Sequence, residues 1–202
     1  FGYLILLALL AIMRDEAAYV PRWLAGIARS PSSFDEVVVV DGGSADSTVA
    51  LLQASPMYTV RVVERAFPDN FSDQRNFAID QTTSEWILEL DADEVLSTPL
   101  LMGIRQVCMN ADCAQVDCVG VPRLNFHDGI LVASPGYRGL DFQYRLHRRQ
   151  CRWRGRVHEE VVGYQARIEL NLGDGHFIQH LKDVPRHLSR NEYYQKLKGT
   201  IS

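Results

Sequence analysis

Asp91 and Asp93, two residues apart and followed at once by Glu94, close the apolar run Trp86-Ile87-Leu88-Glu89-Leu90. A run of that length reads as a buried strand whose end carries carboxylates out of the core. Two hard oxygen donors turned to one point suit Mg²⁺ or Mn²⁺, and such a cation, left with open positions, would hold a diphosphate. An isolated Asp-x-Asp is more often a solvated acidic turn. Two further apolar runs reverse that preference, because they too end in polar clusters: Arg14-Asp15-Glu16 and Asp41-Gly42-Gly43-Ser44. Asp41 could accept from a ribose or base group, and Gly42 and Gly43 would let backbone approach a nucleotide closely. The alternative for that second cluster is a plain strand-to-helix turn. Neither Gly-x-Gly-x-x-Gly nor Gly-x-x-x-x-Gly-Lys occurs, so a dinucleotide fingerprint and an ordinary phosphate-binding loop are both absent.

The elements that must position these residues follow from periodicity. Strands are expected at 6–13, 37–40, 58–63 and 86–90, the second made wholly of valine and the third near an edge. Between them, Val20, Trp23, Leu24 and Ile27 form one helical face, with Pro21 tolerated in the first turn. A short helix covers 49–54, and another opens at Phe71 with Ser72 as its cap. Thr98 is expected to cap a fourth, with Pro99 at its first position and Leu100, Leu101, Ile104, Val107 and Cys108 on one face. This β-α alternation argues for an α/β protein with an open, mostly parallel sheet and helices on both faces. In such a sheet ligands bind beyond the carboxyl ends of the strands, where the three polar clusters converge. From about Asp117 the texture becomes irregular: short strands at 118–121, 142–146, 157–162 and 167–170, then a helix at 185–198.

The 202 residues fit one domain, a nucleotide-binding half at 1–116 and an acceptor half at 117–202, and the ends suggest trimming at one or both termini. A net charge of −4 gives no general attraction to nucleic acid or anionic membrane. Arginines nevertheless cluster at Arg145, Arg148, Arg149, Arg152, Arg154 and Arg156, as an acceptor or diphosphate contact, a solvated face or an anionic-lipid contact. Cys108, Cys113, Cys118 and Cys151 match no common zinc spacing and read as ordinary thiols. The apolar run at 1–13 is too short to span a bilayer, which needs ~20 residues. It reads as a strand, with a shortened anchor at 1–10 as the other possibility.

Taken together, Arg14-Asp15-Glu16, Val38-Val39-Val40-Asp41-Gly42-Gly43-Ser44-Ala45-Asp46-Ser47-Thr48, Asp73-Gln74-Arg75-Asn76-Phe77-Ala78 and Trp86 through Glu94 resemble family 2 glycosyltransferases of the GT-A fold. Tyr144-Arg145-Leu146-His147-Arg148-Arg149 and Trp153-Arg154-Gly155-Arg156-Val157-His158-Glu159 look like the branch with lipopolysaccharide-core β-1,4-glucosyltransferases. The resemblance implies inverting transfer of one sugar from a nucleotide-diphosphate sugar, a UDP-sugar favoured, to a glycan or glycolipid hydroxyl in cell-envelope synthesis. Asp15, Glu16, Asp41 and Gly43 would lie at the nucleoside, Arg75 and Arg145 at the donor, and Asp91 and Asp93 at Mn²⁺ or Mg²⁺. His158 or His180 is a candidate third ligand. A carboxylate must take the acceptor proton. Glu159 is the first candidate and Asp141 the second, and a surface ion pair is the plain alternative for Glu159. The setting implied is cytoplasmic, with a peripheral contact on the membrane face.

Two positions depart from the family pattern: Asp15 stands where Asn is usual, and Ala45 where Thr is. Gln150-Cys151-Arg152-Trp153 is one residue short of the Gln-x-x-Arg-Trp signature of processive synthases, so single-sugar addition is expected. The competing readings are a non-catalytic nucleotide-sugar-binding module and a metal-dependent phosphohydrolase. The latter is disfavoured because its nucleophilic aspartate belongs on the first strand.

Overall fold

The computed structural model describes residues 5–56, 58–132 and 141–182. Its first half is β1 (Leu7–Met13), α1 (Val20–Ala28), β2 (Glu36–Asp41), α2 (Thr48–Gln53), β3 (Val60–Glu64), α3 (Phe71–Asp80), β4 (Trp86–Glu89), β5 (Glu94–Leu96) and α4 (Thr98–Cys113). The first four strands lie in the order β3-β2-β1-β4, all parallel, with Leu10 opposite both Val38 and Glu89. Alternation along these strands divides two apolar layers. Leu7, Leu9, Val37, Val39, Trp86 and Leu88 face one core with Trp23, Leu52 and Leu100 from α1, α2 and α4. Leu10, Val38, Val40 and Ile87 face the other, with Ala78 and Ile79 of α3. Strands apolar on both faces belong between helical layers, where no face meets water.

The second half contains β6 (Cys118–His127), β7 (Ile130–Leu131), β8 (Asp141–Arg148), β9 (Arg152–Arg154), β10 (Glu160–Val162), β11 (Arg167–Glu169), a 3₁₀ turn at Leu172–Asp174 and β12 (Ile178–Lys182). It extends the same sheet in the order β4-β8-β6-β12-β5, while β9 and β10 form a separate hairpin. The sheet becomes mixed here. β8 runs antiparallel to both β4 and β6, and β5 runs antiparallel to β12. β6 and β12 are parallel, as the wide separation between them in the chain permits.

Two helix starts differ from the sequence reading. Asn70, in an extended conformation, caps α3 by accepting from the Asp73 N–H, and Ser72 lies inside the first turn. Ser97 caps α4 by accepting from the Leu100 N–H, so Thr98 is already helical. Both caps stand just outside the helix, where the backbone can turn while the side chain reaches back. The helix expected at 185–198 and the first four residues of the opening run lie outside the described residues. Among the described residues no helix is long and apolar enough to cross a membrane.

Candidate active site

The turns after β1 and β2 are laced together by side chains. Asp15 donates its N–H to the Ser44 hydroxyl at 2.9 Å and accepts the Ala45 N–H at 2.7 Å. Glu16 donates its N–H to Thr48 Oγ1 at 2.7 Å. Asp41 lies beneath this lacing, 3% exposed, and accepts the N–H groups of Gly43 and Ser44 and the Ser44 hydroxyl. Its carboxylate is thus engaged in shaping the turn. Gly42 is the point of closest approach: a Cβ there would stand 3.2 Å from Arg14 Cβ.

The turn after β4 is held by a ladder of alternating charges. Glu89 Oε2 accepts from Arg75 Nη1 at 2.9 Å, and Arg75 Nη2 reaches Asp91 Oδ1 at 3.0 Å. Asp91 Oδ2 takes Arg145 Nη2 at 2.8 Å, and Arg145 Nη1 reaches Glu94 Oε2 at 2.5 Å. Glu94 Oε1 lies 3.3 Å from Arg123 Nη1, and Arg123 Nη2 is 2.7 Å from Asp141 Oδ2. Four carboxylates and three guanidinia from α3, β6, β8 and the β4–β5 region therefore form one chain. Burying such charges is costly unless each is paired, and here each is. Burial alone would raise the Asp91 pKa, but Arg145 and then Arg75 outweigh it and hold the carboxyl well below the usual carboxylate range. Burial would likewise lower the Arg75 pKa. Asp91, Glu89 and Glu159 reverse that and raise it well above its ordinary value.

These turns open into a cleft of about 870 Å³. Asp15, Glu16, Arg75, Asp91, Asp93, Arg145 and Glu159 all line it; Asp41, Gly43 and Asp141 do not. Glu159 follows β9 through a turn in which Gly155 has φ +107° and His158 φ +60°. The turn is tied to α3 where Phe71 donates its N–H to the Arg156 carbonyl and Arg156 Nε donates to the Asp69 carbonyl. Glu159 Oε1 then sits 3.9 Å from Arg75 Nε. Asp141 accepts from Gln143 Nε2 at 2.7 Å besides its pair with Arg123. Both histidines considered as metal ligands line the cleft, and His180 Nε2 is 3.4 Å from Asp93 Oδ2.

Among the described residues no group of three or more His, Cys, Asp or Glu side chains is arranged to hold a metal ion. Both oxygens of Asp91 already meet guanidinia. Asp93 and His180, which face each other in the cleft lining, offer one oxygen and one nitrogen donor. That pair fits Mn²⁺ or Mg²⁺ if a diphosphate and water complete the shell, as is usual for Mg²⁺ at phosphate sites.

Sequence reasoning assigned no role to Glu89, Glu94, Arg123, His147 or Trp153, although all but Arg123 stand in the segments quoted above. The usable signal was Glu89 itself, an acid inside an apolar strand, which requires a buried partner. The arginine cluster is mostly consumed within the fold: Arg148 pairs with Glu85 and Asp112, Arg152 with Asp80 and Arg154 with Glu160.

Comparison with known proteins adds an independent line. The family model described as "Glycosyl transferase family 2" matches residues 10–123. The chain is 30% identical over 149 residues to the SPbeta prophage-derived glycosyltransferase SunS of Bacillus subtilis, covering 74% of this chain and 32% of that protein. It is 31% identical over 91 residues to the lipopolysaccharide core biosynthesis glycosyltransferase LpsC of Rhizobium meliloti, covering 44% of this chain and 32% of that protein. The chain thus spans about a third of the length of these relatives. Among solved structures, S. aureus TarS 1–349 in complex with UDP-GlcNAc superposes with a TM-score of 0.54 at 18% identity, over 67% of this chain and 39% of that one. The architecture is the α/β GT-A fold.

Proposed function

The chain belongs to glycosyl transferase family 2, and from that premise we propose that it moves one sugar, with inversion, from a nucleotide-diphosphate sugar to an acceptor hydroxyl. The observation that carries this reading is the convergence of three turns on one cleft, whose lining includes Arg75, Arg145, Asp93 and Glu159. The turns after β1 and β2, which line the cleft with Asp15, Glu16 and Gly42, form the nucleoside end. Arg75 and Arg145 offer positive charge to the diphosphate, and guanidinium–phosphate contacts are among the strong hydrogen bonds. Glu159 takes the acceptor proton. The acceptor oxygen then forms its bond to the anomeric carbon as the bond to the diphosphate oxygen breaks, and that electron pair leaves with the nucleoside diphosphate. Asp93 and His180 would hold a divalent cation, which as a Lewis acid stabilises the departing charge. Asp91 anchors both guanidinia, which also removes it as the nucleophile of a phosphohydrolase.

A UDP-sugar is the donor favoured, supported by the UDP-GlcNAc and UDP complexes of a protein with this fold. The acceptor proposed is a cell-envelope glycan or glycolipid, supported by the match to a lipopolysaccharide-core enzyme. A glycolipid acceptor would bring the protein to the cytoplasmic membrane face. A thermal-shift screen of nucleotide sugars with Mn²⁺ tests the reading. A ligand at about ten times its Kd contributes ~1.4 kcal/mol and raises the Tm of a domain this size by ~3–6 °C. Asp93→Ala should abolish the Mn²⁺-dependent part of that rise. A Tm indifferent to every nucleotide sugar rejects the proposal.

A further inference from the structure

Glu89 has no place in the chemistry above, yet it is 2% exposed and receives donors from three elements. Its Oε2 takes Arg75 Nη1 of α3 at 2.9 Å; its Oε1 takes Trp153 Nε1 of β9 and lies 3.2 Å from His147 Nε2 of β8. The Trp153 ring that donates to Glu89 also packs against the Arg75 guanidinium, 5.1 Å from its centroid. Arg75 is thereby gripped on one edge by a carboxylate and on one face by an indole. Among the described residues its buried Nε has no hydrogen-bond partner, and the nearest carboxylate to it, Glu159 Oε1 on the cleft wall, is 3.9 Å away. A buried donor left unmatched at the wall of such a cleft points to a group that arrives with substrate.

We propose that Glu89 is a positioning residue that fixes the Arg75 guanidinium in the one orientation presenting Nε to the bound donor. The proposal rests on the transferase reading for what Arg75 meets, but not for how Arg75 is held. Nη1 belongs to Glu89 and Nη2 to Asp91, so rotation about the guanidinium is blocked at both ends. Without the Glu89 charge, Arg75 keeps Asp91 and the more distant Glu159, neither of which holds Nη1, and can turn away. Ground-state attraction for a diphosphate does not fall, because one negative charge has left the site. Turnover does fall, because stabilising a leaving group depends on a donor already in place.

The test uses Glu89→Gln with UDP-GlcNAc and Mn²⁺, following UDP release to water and measuring UDP affinity separately. Turnover should drop about tenfold or more, part of the ~10²–10³ that loss of a whole preorganised donor costs, while the UDP Kd stays within about threefold or tightens. Nuclear magnetic resonance of arginine side chains supplies the readout that needs no activity. Distinct Arg75 Nη resonances in the wild type should coalesce in the variant. Unchanged turnover, or Nη resonances that stay distinct, overturns the proposal. If Glu89→Gln does not fold, Glu89→Asp, which keeps the charge but withdraws the carboxylate from Nη1 by one methylene, takes its place, read by turnover and by the Arg75 resonances. A wild-type protein that neither binds a nucleoside diphosphate nor releases one from any nucleotide sugar overturns the transferase reading instead, and the resonances still decide the role of Glu89.

Discussion

Two carboxylates compete for the role of base, and their surroundings separate them. Asp141 is tied to Arg123 and Gln143 and stays outside the cleft lining. Glu159 lines the cleft, and Arg75 Nε lies 3.9 Å from it, beyond hydrogen-bond reach. A base must reach the proton it removes, and only Glu159 faces the space where an acceptor hydroxyl could stand. Glu159→Gln should therefore lower transfer by ~10²–10⁴ with donor affinity retained, which initial rates and calorimetric donor titration would read. Asp141→Asn should cost less activity, acting through the partly released Arg123. The reverse ranking would assign the base to Asp141. Donor binding with no transfer in the wild type, across many acceptors, would instead favour a binding module.

At the scale of elements, α3 does more than cover the sheet. Asn76 Oδ1 accepts the Trp153 N–H at 2.8 Å and Asn76 Nδ2 donates to the Trp153 carbonyl at 2.9 Å, clamping β9 to the helix. That clamp sets where Trp153 meets Glu89 and where the turn to Glu159 begins. Asn76→Ala removes both bonds, so urea unfolding should show a loss of about 1–3 kcal/mol, with transfer falling further than the folded fraction. A variant as stable and as active as the wild type would deny the clamp any role. None of this was readable from the chain, although Asn76 stood in a motif already singled out. Apolar runs located β1, β2 and β4, and helical spacing located α1 and α4, because these signals are local. β5 and β12 escaped because their pairing joins Glu94–Leu96 to residues some eighty positions later. The three carboxylate clusters were legible at strand ends. What they bind was not, since the arginines facing Asp91 come from α3 and β8.

Across the whole molecule, the charge ladder makes stability depend on pH in a direction that can be worked out. The folded pKa of Asp91 is depressed, as is that of Glu89, where burial is outweighed by the His147 hydrogen bond and by Arg75. Between the depressed folded value and the unfolded one the unfolded chain binds more protons, so stability rises with pH there. The contribution is full above the ordinary carboxylate pKa of ~4 and drains away as pH falls through the folded value. Asp91→Asn should be less stable than the wild type near neutrality, because Arg75 and Arg145 lose their shared anion. The difference in urea midpoint should hold from about pH 7 to about pH 5 and narrow steadily below about pH 4, as protonation strips the wild type of the same charge. A gap that stays constant down to about pH 3 would mean that Asp91 contributes through shape alone. The ladder would then be a packing feature, and the two guanidinia at the cleft would need some other anion to hold them there.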